Sequence, residues 1–354
     1  MNMRAIGIRA AEGGLLPDRL VRGAIRNLCE QRLAAIRSQA SGDPAAYEAR
    51  FIESMNQAPI ALIPEAANEQ HYEIPSEFFG LVLGKHRKYS SCLWQLHCRS
   101  LDSAEEAALE TTCQRAQLQD GQEVLELGCG WGSLSLWMAE KYPQSRITAV
   151  SNSASQREYI LGEAQRRGLQ NLTVVTADMN LFDPMQLPRA GRRFDRIVSV
   201  EMFEHMRNYR LLLSRIAGWL TPRGKVFIHI FCHREIPYLF EPAGPSDWMA
   251  RYFFAGGMMP NAGLLRNFNK DFTIAEQWTW NGLHYQKTAD AWLAQLDQNK
   301  KAAIRVLSDV YGSSNARIWL NRWRMFFMSV SELFGYSGGN EWYVSHYLLE
   351  HKGI

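Results

Sequence analysis

Two short runs hold residue types able to do chemistry. Glu201-Met202-Phe203-Glu204-His205 places two carboxylates and an imidazole close together. On a helix, positions 201, 204 and 205 share one face, and such a group can bind a cation or take up a proton. The bland alternative is a charged first helical turn, because the positive end of the helix dipole favours Glu. The second run, Val124-Leu125-Glu126-Leu127-Gly128-Cys129-Gly130-Trp131-Gly132-Ser133, sets three alternating glycines between a strand-like and a helix-like segment. Glycines there let the backbone turn sharply and approach a ligand, while the free N–H groups of the next helix face it. The spacing is G-x-G-x-G rather than the dinucleotide pattern G-x-G-x-x-G. With Glu126 just ahead, it points away from NAD and towards S-adenosylmethionine, although similar turns also serve as plain connections.

Both runs need a frame that brings them together. The middle of the chain alternates in the βαβ manner, with strands expected at 123–127, 146–150, 172–176, 196–200 and 225–231. Such strands build a parallel sheet with right-handed crossovers, and ligands bind beyond its carboxyl edge. That edge collects Gly128, Gly130 and Gly132, then Ser151 and Asn152, Asp178, and Glu201, Glu204 and His205, with His229 near a strand end. Asp178 could accept from an adenine amino group with Met179 covering the ring, or simply cap a helix. Ser151, Asn152 and Gln156 stand where many such sites place a ribose-binding acid; the plain alternative is N-capping and a solvated face.

Further strands are expected at 272–280 and 341–349, with helices through 289–311 and 318–334, the order of a βαβ core finished by an antiparallel pair. The Pro-, Gly- and aromatic-rich stretch 235–270 reads as an inserted lid. Ahead of the core, residues 1–115 read as a mainly helical cover, with 116–354 as the main domain. From Pro17, apolar residues at Leu20, Ala24, Leu28, Leu33 and Ile36 among arginines predict an amphipathic helix, with Asp18 as a candidate cap, and a second helix is expected over 45–55.

The 354 residues are 46% hydrophobic and 21% charged, with a net charge of +3. That balance gives no reason to expect nucleic acid. No apolar run approaches the roughly 18 residues of a membrane span, so stable membrane insertion is not expected. The first residues hold no apolar signal core, which predicts a cytoplasmic protein. The six cysteines form neither C-x-x-C pairs nor a regular framework and are expected to be reduced.

Seven ordered segments, among them QHYEIPSEFFGLVLGKHRKYSSCLW, VLELGCGWGSLSLWMAEKYP, VSNSASQREYI, FDRIVSVEMFEHMRNY and FFMSVSELFGYSGGNEWYVSHYLLEHK, run over nearly the whole chain. In order and content they resemble coclaurine N-methyltransferase-like enzymes, the amine-methylating branch of the cyclopropane fatty acid synthase superfamily. The resemblance implies an α/β fold with a class I, Rossmann-like methyltransferase sheet, mostly parallel with its last strand antiparallel. It also implies S-adenosylmethionine as cofactor, S-adenosylhomocysteine as product, no metal, and a small amine as acceptor. Position by position it implies Tyr89 and Ser90 as contacts to the cofactor's amino acid end, with Gly128 and Gly130 as the turn. Asn152, Gln156, Asp178 and Met179 complete the cofactor side, while Glu201, Glu204 and His205 form the catalytic cluster and Glu73 is a further acid near the acceptor.

The lipid-modifying branch has a cysteine at the position of Ser91, which helps hold a bicarbonate base, and a glycine at that of Glu201. His229, Glu204 and Tyr285 still match the bicarbonate pattern, but an added carboxylate suits an ammonium ion rather than an anion, so bicarbonate is not expected here. An aliphatic amine must lose a proton before its nitrogen attacks. The expectation is that Glu204 and His205 accept it while Glu201 and Glu73 stabilise the cation, with Phe203, Tyr238, Phe254, Trp278 and Tyr285 as candidate aromatic neighbours. The alternatives are a fatty-acyl methyltransferase or cyclopropane synthase, and a cofactor-binding scaffold without turnover. The N-terminal helices could serve as a homodimer surface or as an intramolecular cover.

Overall fold

The computed structural model describes residues 3–62, 74–187, 193–241 and 247–352. Glu73 lies outside the described residues, as does part of the expected lid.

The centre is a seven-stranded sheet in the order β3-β2-β1-β4-β5-β9-β8. The strands are β1 (Glu123–Leu127), β2 (Arg146–Ser151), β3 (Leu172–Thr176), β4 (Phe194–Val200), β5 (Leu220–His233), β8 (Phe272–Trp280) and β9 (Trp342–His351); β6 (Tyr238–Leu239) and β7 (Met258–Met259) pair separately. The run from β3 to β5 is parallel, and β9 lies antiparallel between β5 and β8. After Glu123, β1 is buried throughout. A central parallel strand packed on both faces has that pattern, and its apolar run reads so from the sequence.

The chain runs outward from β1 to β2 and β3, then returns to the other side of β1 for β4. This reversal opens a crevice at the carboxyl ends of β1 and β4. The helices α1 (Met3–Glu12), α2 (Asp18–Ala40), α3 (Pro44–Gln57), α4 (Ser76–Val82) and α5 (Leu101–Arg115) precede the sheet. Within it come α6 (Ser133–Lys141), α7 (Ala154–Arg167), α8 (Tyr209–Trp219) and α9 (Trp248–Tyr252), followed by α10 (Leu283–Gln298), α11 (Lys300–Tyr311) and α12 (Ala316–Gly335).

Local signals explain several of these boundaries. Asp43 accepts from Ala46 N at 3.0 Å to start α3, and Ser100 and Ser103 form a reciprocal capping box at α5. Three expectations need correction. Asp18 does not cap α2; its carboxylate pairs with both terminal nitrogens of Arg324, at 3.0 and 2.7 Å. The buried face of α2 is Val21, Cys29, Leu33, Ile36 and Ala40, whereas Leu20 and Leu28 are exposed. Arg22 and Arg26 of the same helix pair with Glu332 of α12. The single helix expected over 289–311 is two, divided at Asn299, whose side chain donates to Leu81 O at 2.8 Å.

Candidate active site

Two cavities meet at the carboxyl edge of the sheet. The first runs along the glycine turn, and its lining includes Lys88, Ser90, Gly128, Gly130, Asn152, Gln156, Asp178 and Met179. The second is walled by Phe231, Phe240, Met249, Phe254, Phe326 and Phe334. Tyr89, Glu201 and His205 line both, and so form the passage from one to the other.

The glycines of the turn do different jobs. Gly128, Gly130 and Gly132 all have positive φ, a conformation costly for other residues. A Cβ at Gly132 would stand 2.6 Å from Ile160 Cγ1, so that glycine allows helix packing. A Cβ at Gly130 would meet no protein atom within 4 Å, so its bare face is open towards the cavity it lines. At the end of β2, Ser151 Oγ donates to Gln156 Oε1 at 2.6 Å. That bond leaves the buried Gln156 Nε2 without a partner among the described residues. Asp178 accepts from Asn180 N at 2.9 Å within a turn that starts no helix, the next helical turn being capped by Asp183, and it lines the cleft. An open glycine face, an unused buried donor and a carboxylate in one cleft fit the nucleoside and amino acid parts of S-adenosylmethionine. Gln156→Leu is expected to weaken S-adenosylhomocysteine binding by about tenfold in calorimetry, the cost of losing one buried hydrogen bond; unchanged affinity would remove Gln156 from the cofactor site.

Approach to this cleft depends on Glu105 of α5. Its carboxylate accepts from the backbone N–H groups of Gly84, His86 and Lys88 at 3.0, 2.7 and 3.1 Å. This holds the turn that presents Lys88, Tyr89 and Ser90. Lys88 is buried and donates to Ser90 Oγ at 2.5 Å and Ser91 O at 2.7 Å.

The 201–205 run is not an α-helix. Glu201 has φ 49° and its N–H bonds to His229 O at 2.8 Å, and only Phe203–His205 form a single 3₁₀ turn. The turn splits the two carboxylates that a helix would align. Glu201 Oε1 accepts from Ser91 N at 2.9 Å and sits 3.1 Å from His229 Nε2, while Oε2 accepts from the Tyr285 hydroxyl at 2.7 Å. Glu204 points back into the protein. Its Oε1 accepts from Phe231 N at 2.6 Å, and it lines neither cavity.

Burial and the nearby Glu201 charge push the Glu204 carboxyl well above its ordinary range. Burial also raises Glu201, but Lys88, Ser91 N–H, the Tyr285 hydroxyl and His205 oppose the shift. Burial lowers His205 to about 4 against the pull of Glu201, so its imidazole is neutral near pH 7. This corrects the expected proton-accepting pair: His205 faces the cavities and Glu204 does not.

Among the other expected acceptor contacts, Tyr285 and Phe254 line the second cavity. His229 is fully buried behind Glu201. Phe203 packs in the core with its ring 5.2 Å from that of Tyr209, away from both cavities. Tyr238 bonds to Trp342 and Trp278 lies beneath Arg115, so neither contributes to the cavity wall. The sequence reading missed Met249, Phe326 and Phe334. Their types fit any apolar core, and only the docking of α9 and α12 brings them to this wall.

The cleft and sheet define an S-adenosylmethionine-dependent methyltransferase. Residues 63–334 match the family described as mycolic acid cyclopropane synthetase. The chain is 37% identical to (S)-coclaurine N-methyltransferase of Thalictrum flavum subsp. glaucum, over 98% of this chain and 95% of that one. Identity to the (S)-coclaurine N-methyltransferase of Papaver somniferum is 34%, over 98% and 97% of the two chains. It also superposes on a crystal structure of coclaurine N-methyltransferase bound to N-methylheliamine and SAH, with a TM-score of 0.91 and 37% identity, covering 97% of this chain and 98% of that one. The chain therefore belongs to the coclaurine N-methyltransferase branch of the cyclopropane synthetase family and is an N-methyltransferase. No helix among the described residues is long and apolar enough to cross a membrane.

Proposed function

We propose that the protein methylates the nitrogen of a small amine with a flat, aromatic body. The observation carrying this reading is Glu201, a carboxylate whose side chain is only 8% exposed, set where the cofactor cleft opens into an aromatic cavity. S-adenosylmethionine, when bound, supplies a methyl group on a positively charged sulfur. Glu201 holds the protonated amine, and the neutral His205 beside it accepts the amine proton. Phe254 packs on the His205 ring with centroids 4.6 Å apart, which orients the imidazole and shields it from water. The aromatic walls bind the acceptor's flat face, and those near the cation add about 0.5–2 kcal/mol each through cation–π attraction. Most of the acceleration comes from alignment of the two bound reactants.

The lipid-modifying alternative needs His229 and Tyr285 for an anion. Here both already turn towards Glu201, and a second negative charge beside that carboxylate is disfavoured. The six free, buried cysteines suit a reducing, cytoplasmic setting. Incubation with methyl-labelled S-adenosylmethionine, a panel of secondary and tertiary aromatic amines, and phospholipid vesicles tests the assignment. Label is expected in the amines, with no stimulation by added bicarbonate; label in the lipid alone, or in neither, would overturn the reading.

A further inference from the structure

Behind Glu201, on the side away from both cavities, three side chains form a row through the sheet. His229 of β5 places Nε2 3.1 Å from Glu201 Oε1. Its Nδ1 lies 2.9 Å from Nε2 of His346, its cross-strand partner on β9. His346 Nδ1 in turn lies 2.8 Å from Nη1 of Arg115, the last residue of α5. Both imidazoles are fully buried, and neither lines either of the two cavities.

Proton arithmetic allows one arrangement of this row. A guanidinium only donates, so His346 Nδ1 must accept and His346 Nε2 must carry the hydrogen. His229 Nδ1 then accepts, and the remaining hydrogen on His229 Nε2 points at Glu201. Burial and the nearby cations Lys88 and Arg115 keep both imidazoles neutral, as this arrangement requires. Arg115 is half-buried between the Trp278 and Trp280 rings, 5.0 and 5.7 Å from their centroids, with no carboxylate within ion-pair distance among the described residues. A half-buried cation resting on two indoles and donating to a neutral imidazole gives up part of its hydration with no carboxylate in return, which packing alone does not require.

We propose that Arg115 is a positioning residue for methyl transfer, fixing the tautomers of His346 and His229 so that an N–H stays aimed at Glu201 and holds its carboxylate ionised and turned to the acceptor. The inference rests on reading Glu201 as the group that holds the ammonium ion. The charged and titratable groups facing Glu201 are Lys88, His205, Glu204, Tyr285 and His229; those facing the two buried histidines are Lys88, Arg115 and Glu201.

The test begins with the S-adenosylhomocysteine complex of the full chain labelled with ¹⁵N-histidine, so its first readout needs no acceptor. Long-range ¹H–¹⁵N correlation should show His229 and His346 both as Nε2–H tautomers. Arg115→Met keeps apolar contact with the indoles but removes the donor. It should mix these tautomers, lower kcat for the amine by about tenfold or more as outer-layer substitutions do, and shift the acidic limb of kcat/KM to higher pH while S-adenosylhomocysteine affinity holds. Arg115→Lys and His346→Gln should retain the wild-type tautomer at His229, because Lys still donates and Gln both accepts from Arg115 and donates to His229; His346→Leu should behave like Arg115→Met. His229 with its proton on Nδ1 in the wild type, or unchanged tautomers and pH profile in Arg115→Met, would overturn the proposal. If no amine is methylated, the proposed acceptor class fails while the tautomer result still decides whether Arg115 orders the row.

Discussion

Glu201→Gln is expected to lower kcat/KM for the amine acceptor by about 10²–10³-fold, the loss of one electrostatic partner in a water-poor site, while S-adenosylhomocysteine affinity and the thermal midpoint stay near wild type. The substitution is nearly isosteric, and the surroundings can absorb it. The amide oxygen can occupy the Oε1 position and accept from Ser91 N and His229 Nε2, as the carboxylate does. The amide NH₂ then takes the Oε2 position, where Tyr285 can rotate its hydroxyl to accept instead of donate. Shape and packing survive, and only the negative charge is lost. A site that uses Glu201 merely to tie Ser91, His229 and Tyr285 together would keep its activity. Near-wild-type turnover in initial-rate kinetics would therefore dismiss the electrostatic role.

Gly128→Ala is expected to damage both halves of the site at once. At φ 80° a Cβ costs about 1–2 kcal/mol in the left-handed region alone. That Cβ would also stand 2.6 Å from Met202 Cγ and 2.7 Å from Met202 Cβ. These atoms are close to the backbone and cannot swing aside as a chain end would. Met202 follows Glu201, so the strain enters the turn that aims the carboxylate. S-adenosylhomocysteine affinity should fall by at least about tenfold, or 1.4 kcal/mol, and turnover at saturating cofactor should fall as well. Gly130→Ala is the matched contrast. Its Cβ meets no protein atom, so it should weaken cofactor binding without moving Met202. Equal turnover of Gly128→Ala and wild type at saturation would show that the glycine turn and the Glu201 turn are not mechanically linked.

The sheet was legible wherever β-branched runs ended in turn residues, and β1, β3 and β8 fall at their expected bounds. The cofactor side was legible for the same reason, since strand ends and glycines are local signals and the crevice follows from strand order. The acceptor side was less so. A left-handed Glu is rare and nothing local announces it, so the helical reading of 201–205 wrongly put Glu204 beside His205. Lys88, His346 and Arg115 carry no motif of their own. Their roles depend on pairings such as His229 with His346, which no window of sequence contains. The choice of buried face on α2 has the same origin, because apolar residues occur on more than one side of the helix and only packing in the core shared with α12 selects Val21, Leu33 and Ile36.

Strand β9 lies between β5 and β8, with Lys225 paired to Glu350 and His229 to His346. During synthesis β5 emerges long before its antiparallel neighbour exists, and such distant pairings form slowly. Until β9 inserts, His229 lacks the ring that sets its proton, and a flank of β5 stays unpaired. The β1, β2 and β4 edge of the cofactor crevice comes earlier in the chain, but its Tyr89 wall rests on α10, through the Trp292 ring 5.4 Å away and the bond from Cys92 N to Thr288 Oγ1 at 3.1 Å. Both halves of the site are therefore completed by segments that follow β5 in the chain.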